Sequence, residues 1–165
     1  MIRKALEEDL KIIEQLAKKT RKHMQDNGLK QWPGDYPNLE NFEADLKKQG
    51  LYVYEDNNII KASITILPEN DPPYKEIRWY SDHALVIHRL VVDPDHQLQG
   101  IGQKMFEKAI ELTKENYQSL KVDTHPDNTK MQKLILKMKF QYMGYLASIN
   151  RLAYELNLKD KEKEV

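Results

Sequence analysis

The stretch Val91-Val92-Asp93-Pro94-Asp95-His96-Gln97-Leu98-Gln99-Gly100-Ile101-Gly102 carries the most readable chemistry in this chain. An apolar run stops at Asp-Pro, a polar turn follows, and Gln-x-x-Gly-x-Gly then opens an amphipathic helix. A strand that ends in a glycine-rich turn at a helix N-terminus is an anion site. Successive backbone N–H groups point outward there, and the helix dipole adds partial positive charge. Glycine lets the backbone approach a phosphate without a Cβ in the way. Gln97, Leu98, Gln99, Gly100, Ile101 and Gly102 are therefore expected to hold a phosphorylated ligand. A P-loop is excluded, because Gly102 is followed by Gln103 and Lys104 with no Ser or Thr placed to reach magnesium. A dinucleotide fingerprint is excluded too, because Met105 follows where a third glycine is needed.

Downstream, Lys121-Val122-Asp123-Thr124-His125 reads as a strand and Pro126-Asp127-Asn128 as a turn that starts a helix. Met131, Leu134, Ile135 and Met138 then fall on one helical face, and Phe140 follows. The hexapeptide Gln97–Gly102 resembles the acetyl-CoA pyrophosphate loop of the GNAT N-acetyltransferase superfamily. Asn128, Met131, Leu134, Lys137 and Phe140 match that family's second cofactor motif in register. Two positions depart from it: Ile135 stands where the family has Tyr, and Lys139 where it has Gly. The ending Arg151-Leu152-Ala153-Tyr154-Glu155 is similar to the last strand of bacterial small-molecule members. The resemblance covers nearly the whole chain.

The resemblance implies an α/β (α+β) fold: a mixed, mostly antiparallel sheet with splayed central strands, flanked by about four helices, with CoA in the V of the splay. It implies an acetyl-CoA-dependent N-acetyltransferase that moves an acetyl group to a primary amine of a small molecule or peptide, by direct attack in a ternary complex. Leu90, Val91 and Val92 would pair through their backbone with the pantetheine arm. The Leu90 N–H would polarise the thioester carbonyl as an oxyanion donor. Asn128 and Met131 would touch CoA, and the segment between the first two helices would wall the acceptor pocket. The histone-modifying branch carries a Glu where this chain has Val86, so that base and that substrate are not carried over. With Ile135 also in place of the usual thiolate acid, water, Tyr142, Tyr145 or Tyr154 are left as proton donors. A CoA-binding regulatory module with little turnover is the alternative, and a nucleotide-binding protein a third reading.

His88 shares strand parity with Leu90, and an imidazole, with an ordinary pKa of about 6.5, suits a base that takes a proton from an ammonium substrate. A lone His on an apolar strand is also an ordinary core residue. Asp123 and His125 flank Thr124 at a strand end and come next as candidate bases; their bland reading is a turn. Trp32 and Tyr36 place two large rings among Pro, Gly and Asp, and Asp35 could attract an ammonium group. These three are the candidate acceptor contacts, on the expectation that both rings are exposed. His83 and His88 are five apart on an extended segment and face opposite sides, and no His-x-x-x-His occurs, so no metal is expected.

Composition agrees with this reading. With 165 residues, residues 1–158 are expected to form a single domain, followed by a charged tail over 159–165. Lys and Arg balance Asp and Glu to zero net charge, so nothing points to nucleic acid. No long apolar run suggests a membrane span, and the N-terminus has no signal-like apolar region. The absence of cysteine excludes disulfides, thiolate metal sites and a Cys nucleophile. A cytoplasmic enzyme is expected, with self-association into a homodimer left open.

Hydrophobic periodicity orders the elements. Met1 to Ala5 is a strand. The next helix carries Leu10, Ile13, Leu16, Ala17, Thr20 and Met24 on one face and ends at Asn27-Gly28. A second helix runs from Asn38 to about Lys48, with Gly50 stopping it. Leu51–Glu55 and Ile59–Leu67 are strands joined by a turn at Asp56-Asn57-Asn58. Pro68 to Asp82 is a long loop and Ala84 to Val92 a central strand. A helix from about Gly100 to Tyr117 turns Ile101, Met105, Ala109 and Leu112 inward. Two strands, Phe140–Ala147 and Arg151–Leu158, close the chain.

Overall fold

The structure, a computed structural model, describes residues 1–158; the expected charged tail lies outside the described residues. Strands are β1 (Ile2–Lys4), β2 (Leu51–Asp56), β3 (Ile59–Leu67), β4 (Ala84–Val92), β5 (Ser119–Thr124), β6 (Gln141–Leu146) and β7 (Arg151–Asn157). Helices are α1 (Leu10–Asp26), α2 (Leu39–Lys47), α3 (Ile101–Asn116) and α4 (Thr129–Lys137), with 3₁₀ turns at Glu7–Asp9, Pro72–Glu76 and Pro94–Gln99. The strands form one sheet in the order β1-β2-β3-β4-β5-β7-β6. The pairs β1–β2, β2–β3, β5–β7 and β6–β7 are antiparallel and β4–β5 is parallel, so the mixed, mostly antiparallel sheet expected from the sequence is present. The β4–β5 register runs from Ala84↔Ser119 to Val86↔Lys121.

The chain divides into two compact units, Met1–Ile66 with His88–Met105, and Leu67–Ile87 with the chain from Phe106 onward. In the first unit α1 buries Leu10, Ile13, Leu16, Ala17 and Thr20, as the helical spacing predicts, and Met24 packs at the edge. The Thr20 hydroxyl is satisfied by the Leu16 carbonyl at 2.8 Å. Asn38 caps α2 by accepting from the Asn41 N–H at 3.1 Å. The helix stop lies one residue earlier than Gly50: Gln49 takes the left-handed conformation at φ 60°, and the Gly50 N–H returns to the Asp45 carbonyl at 3.0 Å. Asn57 and Asn58, at φ 52° and 64°, make the tight hairpin turn between β2 and β3.

An ion pair pins the start of this unit. The Asp9 carboxylate accepts from Arg3 Nη1 at 2.8 Å and from the Leu6 N–H at 2.8 Å. The Arg3 guanidinium holds Asp9 below the usual carboxylate range, against the opposing effect of burial. A group whose folded pKa is depressed adds stability above its unfolded pKa and loses it as pH falls through the folded value. Acidification below about pH 4 should therefore destabilise the protein. Asp9→Asn should make that acid dependence shallower in urea unfolding measured across pH, and equal slopes would count against this pairing.

In the second unit, the expected loop Pro68–Asp82 is instead an ordered cover. Tyr74 is 2% exposed and clusters with Val86, Leu146 and Ala153, with Ile77 and Trp79 against them. Glu155 on β7 accepts from the Tyr80 N–H at 2.7 Å and from Ser119 Oγ at 2.6 Å. Ile77 comes so close to β6 that a Cβ on Gly144 would sit 3.0 Å from Ile77 Cγ2, which explains a glycine at that bulge. One expected helix face needs correction. On α3, Thr113 rather than Leu112 is fully buried, its hydroxyl bonded to the Ala109 carbonyl at 2.7 Å. On α4 the expected face holds: Ile135 is fully buried, Met131, Leu134 and Met138 are half-buried, and Lys133, Leu136 and Lys137 are exposed. Lys139 keeps the backbone of the glycine that the resemblance would place there. It is left-handed at φ 73°, with the Phe140 N–H returning to the Ile135 carbonyl at 3.3 Å.

Candidate active site

The turn after β4 runs through a left-handed glycine into the start of α3. Asp93 accepts from the Asp95 N–H at 3.0 Å and from Lys19 Nζ at 2.8 Å, which ties the turn to α1. Burial works to raise the Asp93 pKa, but Lys19 and the Asp95 amide outweigh it and hold the carboxyl low. The 3₁₀ turn ends at Gly100, which is left-handed at φ 72°, a conformation that favours glycine. The first helical bond of α3 runs from the Lys104 N–H to the Gly100 carbonyl at 3.2 Å. The Gly100, Ile101 and Gly102 amides therefore precede the first intrahelical donor, the Lys104 N–H. Gly100 and Gln99 are exposed, Leu98 is 96% exposed, and Ile101 is buried beneath the turn. The 3₁₀ turn leading into α1 has Glu7, Glu8 and Asp9, and α2 has Glu40, whereas the first turns of α3 and α4 have no acidic residue, and that of α3 carries Lys104. Lys104 Nζ lies 3.3 Å from Tyr54 Oη. This helix end lacks the usual counter-charge to its dipole, and these residues fit a phosphate.

The end of β4 supplies the strand beside it. Arg89 and Val91 face the first unit's core: Val91 is fully buried there, and Arg89 Nη1 donates to both oxygens of Asp45 at 2.9 and 2.7 Å. Strand alternation sends His88, Leu90 and Val92 to the other face, where all three are half-buried. Arg89, not His88, is the residue that faces the Tyr36 loop, with its guanidinium 5.6 Å from the Tyr36 ring centre. Asp45, from α2, also accepts from Thr65 Oγ1 at 2.7 Å. The sequence reading missed this Asp45–Arg89–Thr65 network. Its one local sign was a cation in an otherwise apolar strand.

The expectation that both rings of the Trp32–Tyr36 loop are exposed is corrected. Trp32 is 7% exposed and belongs to the core cluster with Ile13, Phe42 and Val91. An indole buries more apolar area than any other side chain can, and the Pro- and Gly-rich loop folds it inward. Tyr36 is half-buried against the same cluster, and Asp35 is exposed.

In the second unit, Asp123 accepts from Tyr74 Oη at 2.6 Å, and Arg151 Nε lies 3.9 Å from its other oxygen. His125 falls just past β5 and is 8% exposed; its Nδ1 accepts from the Asp127 N–H at 3.0 Å, which leaves the neutral ring's proton on Nε2. His125 thus makes the local contact of a loop anchor, whereas Asp123 is tied to a residue 49 positions away. Asn128 caps α4 by accepting from the Met131 N–H at 3.2 Å. Val86 and Ile135 are fully buried, so the two positions that depart from the family's acid and base are core positions here. Tyr154 is buried, and that burial raises its pKa. Tyr142 is exposed, while Tyr145 Oη donates to Asn150 at 2.6 Å. Among the described residues no three His, Asp or Glu side chains converge as a metal site, and no helix is long and apolar enough to cross a membrane.

The family model for the acetyltransferase (GNAT) family matches residues 12–140. A protein described as an acetyltransferase from Staphylococcus aureus Mu50 is 30% identical, over 96% of this chain and 99% of its own, with a TM-score of 0.76. A GNAT-family acetyltransferase from Streptococcus agalactiae 2603 is 24% identical, over 95% of this chain and 94% of its own, with a TM-score of 0.80. YncA from Salmonella typhimurium, solved with acetyl-CoA, shares the fold at 14% identity over 96% of this chain and 93% of its own, with a TM-score of 0.73. A comparison with curated proteins gives no significant match. The order of the strands, a family match over most of the chain and a 30% identical relative covered almost end to end lead to one conclusion: the chain belongs to the GNAT family of acetyltransferases.

Proposed function

We propose that the protein transfers an acetyl group from acetyl-CoA to a primary amine of a small molecule or peptide, and that it works in the cytoplasm. The observation that carries this reading is the Gly100 turn heading an α3 whose first turn has Lys104 and no acid. The pyrophosphate would rest on the amides of Gln97 to Gly102, with Leu90, Val91 and Val92 offering their backbone to the pantetheine arm. The ammonium acceptor loses a proton to a base, its nitrogen attacks the thioester carbonyl carbon, and the Leu90 N–H takes the developing oxyanion. The C–S bond then breaks, the nitrogen releases its remaining extra proton to become the amide, and the thiolate takes up a proton. Asp35 and Tyr36 are the proposed acceptor contacts.

His88 is the proposed base, being half-buried and on the Leu90 face of β4. Asp123 and His125 follow it, since each is already engaged in a hydrogen bond. A general base contributes roughly 10²–10⁴ in rate. His88→Ala should therefore lower kcat at least about tenfold, with acetyl-CoA affinity retained, and should remove one ionisation from the kcat/KM profile. Thermal unfolding of the same variant separates lost chemistry from lost folding. A stable variant with full kcat and an unchanged profile would eliminate His88. The buried Val86 and Ile135 favour a second reading, a CoA-binding module with little turnover. Thiol release across a panel of amines decides: release supports transfer, and tight acetyl-CoA binding without release supports the module.

A further inference from the structure

The second unit contains a cavity of about 660 Å³, which the acetyl-transfer reading does not use. Its wall is Lys121 from β5 together with Tyr74, Ile77, Arg78, Trp79 and Asp82 from the cover before β4. Lys121 sits where a sheet interior calls for an apolar residue, opposite Val86 on β4 and Glu155 on β7, and it is 1% exposed. An ammonium is costly to bury without a counter-charge. Glu155 is the nearest carboxylate by register, but its oxygens already accept from the Tyr80 N–H at 2.7 Å, Ser119 Oγ at 2.6 Å and the Ser81 N–H at 3.3 Å. Among the described residues no carboxylate forms an ion pair with Lys121; its close partner is the Trp79 ring, 4.8 Å from Nζ. Burial accordingly pushes the Lys121 pKa down, with Glu155 and Asp82 opposing that shift.

The apolar side of the cavity is held in place. Trp79 Nε1 donates to the Tyr74 carbonyl at 2.8 Å, and the two rings lie 4.9 Å apart. Tyr74 Oη is in turn fixed on Asp123 at 2.6 Å. A pocket of this size, with charged side chains on one part of its wall and Tyr74, Ile77 and Trp79 on another, suits a small molecule. Its charges choose the ligand class. Lys75, Arg78 and Lys121 face Asp71 and Asp82, which leaves a single net positive charge and disfavours a dianion such as phosphate.

We infer that this cavity binds a small organic monocarboxylate with an aromatic or branched apolar body, whose carboxylate pairs with Lys121 while the body lies against Trp79, Tyr74 and Ile77. The carboxylate would supply the counter-charge that Glu155 does not. It could belong to the acceptor itself, an amino acid, or to an effector; the acceptor case alone rests on the proposed acetyl transfer.

The test uses the full chain, with phenylacetate as probe and neutral phenylacetamide as its control. Phenylacetate should bind at least about tenfold more tightly than the amide. Lys121→Met, an unbranched side chain one atom shorter and without the charge, should abolish that preference while leaving amide binding unchanged. Arg78→Ala, an exposed change that spares the core, should weaken phenylacetate alone by a smaller factor. Equal affinity for both probes, no binding of either, or a carboxylate preference that survives Lys121→Met would overturn the inference. If phenylacetate competes with phenylalanine in a thiol-release assay, and Lys121→Met raises the KM for phenylalanine, the carboxylate belongs to the acceptor. If phenylacetate changes turnover of an unrelated amine without competing, it belongs to an effector. Lys121-dependent phenylacetate binding in a protein that acetylates no amine would sink the proposed function and leave this inference standing.

Discussion

Gly100→Glu should lose most acetyl-CoA affinity and still fold. A side chain at this position meets nothing within 4 Å, so the new carboxylate has room. What it changes is charge and backbone. The residue is held at φ 72°, where a non-glycine residue costs roughly 1–2 kcal/mol. A carboxylate about 4 Å from a pyrophosphate oxygen repels it by about 4 kcal/mol at an effective dielectric of about 20. Solvent at this exposed turn screens part of that repulsion. A fall of at least about a hundredfold in acetyl-CoA affinity is expected, equivalent to about 2.7 kcal/mol. Gly100→Ala carries the backbone cost without the charge and should lose much less. Calorimetry with acetyl-CoA, alongside thermal unfolding, separates the two terms. Unchanged affinity in Gly100→Glu would remove the phosphate from this turn.

Trp32→Ala should be the most destabilising single truncation in the segment joining α1 and α2. The ring is 7% exposed and packs with Leu10, Ile13, Leu16, Phe42, Leu51 and Val91. Deleting a buried Trp costs about 3–5 kcal/mol, a large share of the roughly 5–15 kcal/mol that keeps a domain folded. In a chain of this size that corresponds to a drop of about 10 °C in Tm. Calorimetric unfolding of the variant measures it, and a Tm within a degree or two of wild type would show that the ring is not part of the core. Any acceptor-specific effect of this loop should therefore be sought at Tyr36 or Asp35, whose changes leave the indole in place.

Much of this protein is encoded locally. The stripe Leu10, Ile13, Leu16, Ala17 and Thr20 is set by helical periodicity, and all five are buried. β3 and β4 begin and end where their apolar runs do, because Asn57-Asn58 and Asp93-Pro94 bound them with turn chemistry. The Gly100 turn could be read for the same reason: a left-handed glycine, an Asp-Pro stop and a helix start lie within a few residues of one another. Matching a family motif across Asn128, Met131, Leu134, Lys137 and Phe140 then gave the family, and with it a mixed, mostly antiparallel sheet that periodicity alone does not contain.

Other features depend on partners far apart in the chain. Asp45 and Arg89 are 44 positions apart, Tyr74 and Asp123 49, and Tyr80 and Glu155 75. The polar residues of Pro68–Asp82 resemble a solvated loop in sequence, yet they become an ordered cover because β5 and β7 present acceptors to them. Lys121 looks like one of many surface lysines until strand pairing places it opposite Val86 and Glu155. Trp32 shows the same limit in an apolar residue: composition marks its segment as a loop, and only the packing of α1, α2 and β2 decides that the ring turns inward. Periodicity, caps and turns come from interactions within a few residues, so the amino-acid order determines them directly. Burial of a charge or a ring is decided by which distant surfaces close over it, and that is a property of the folded chain.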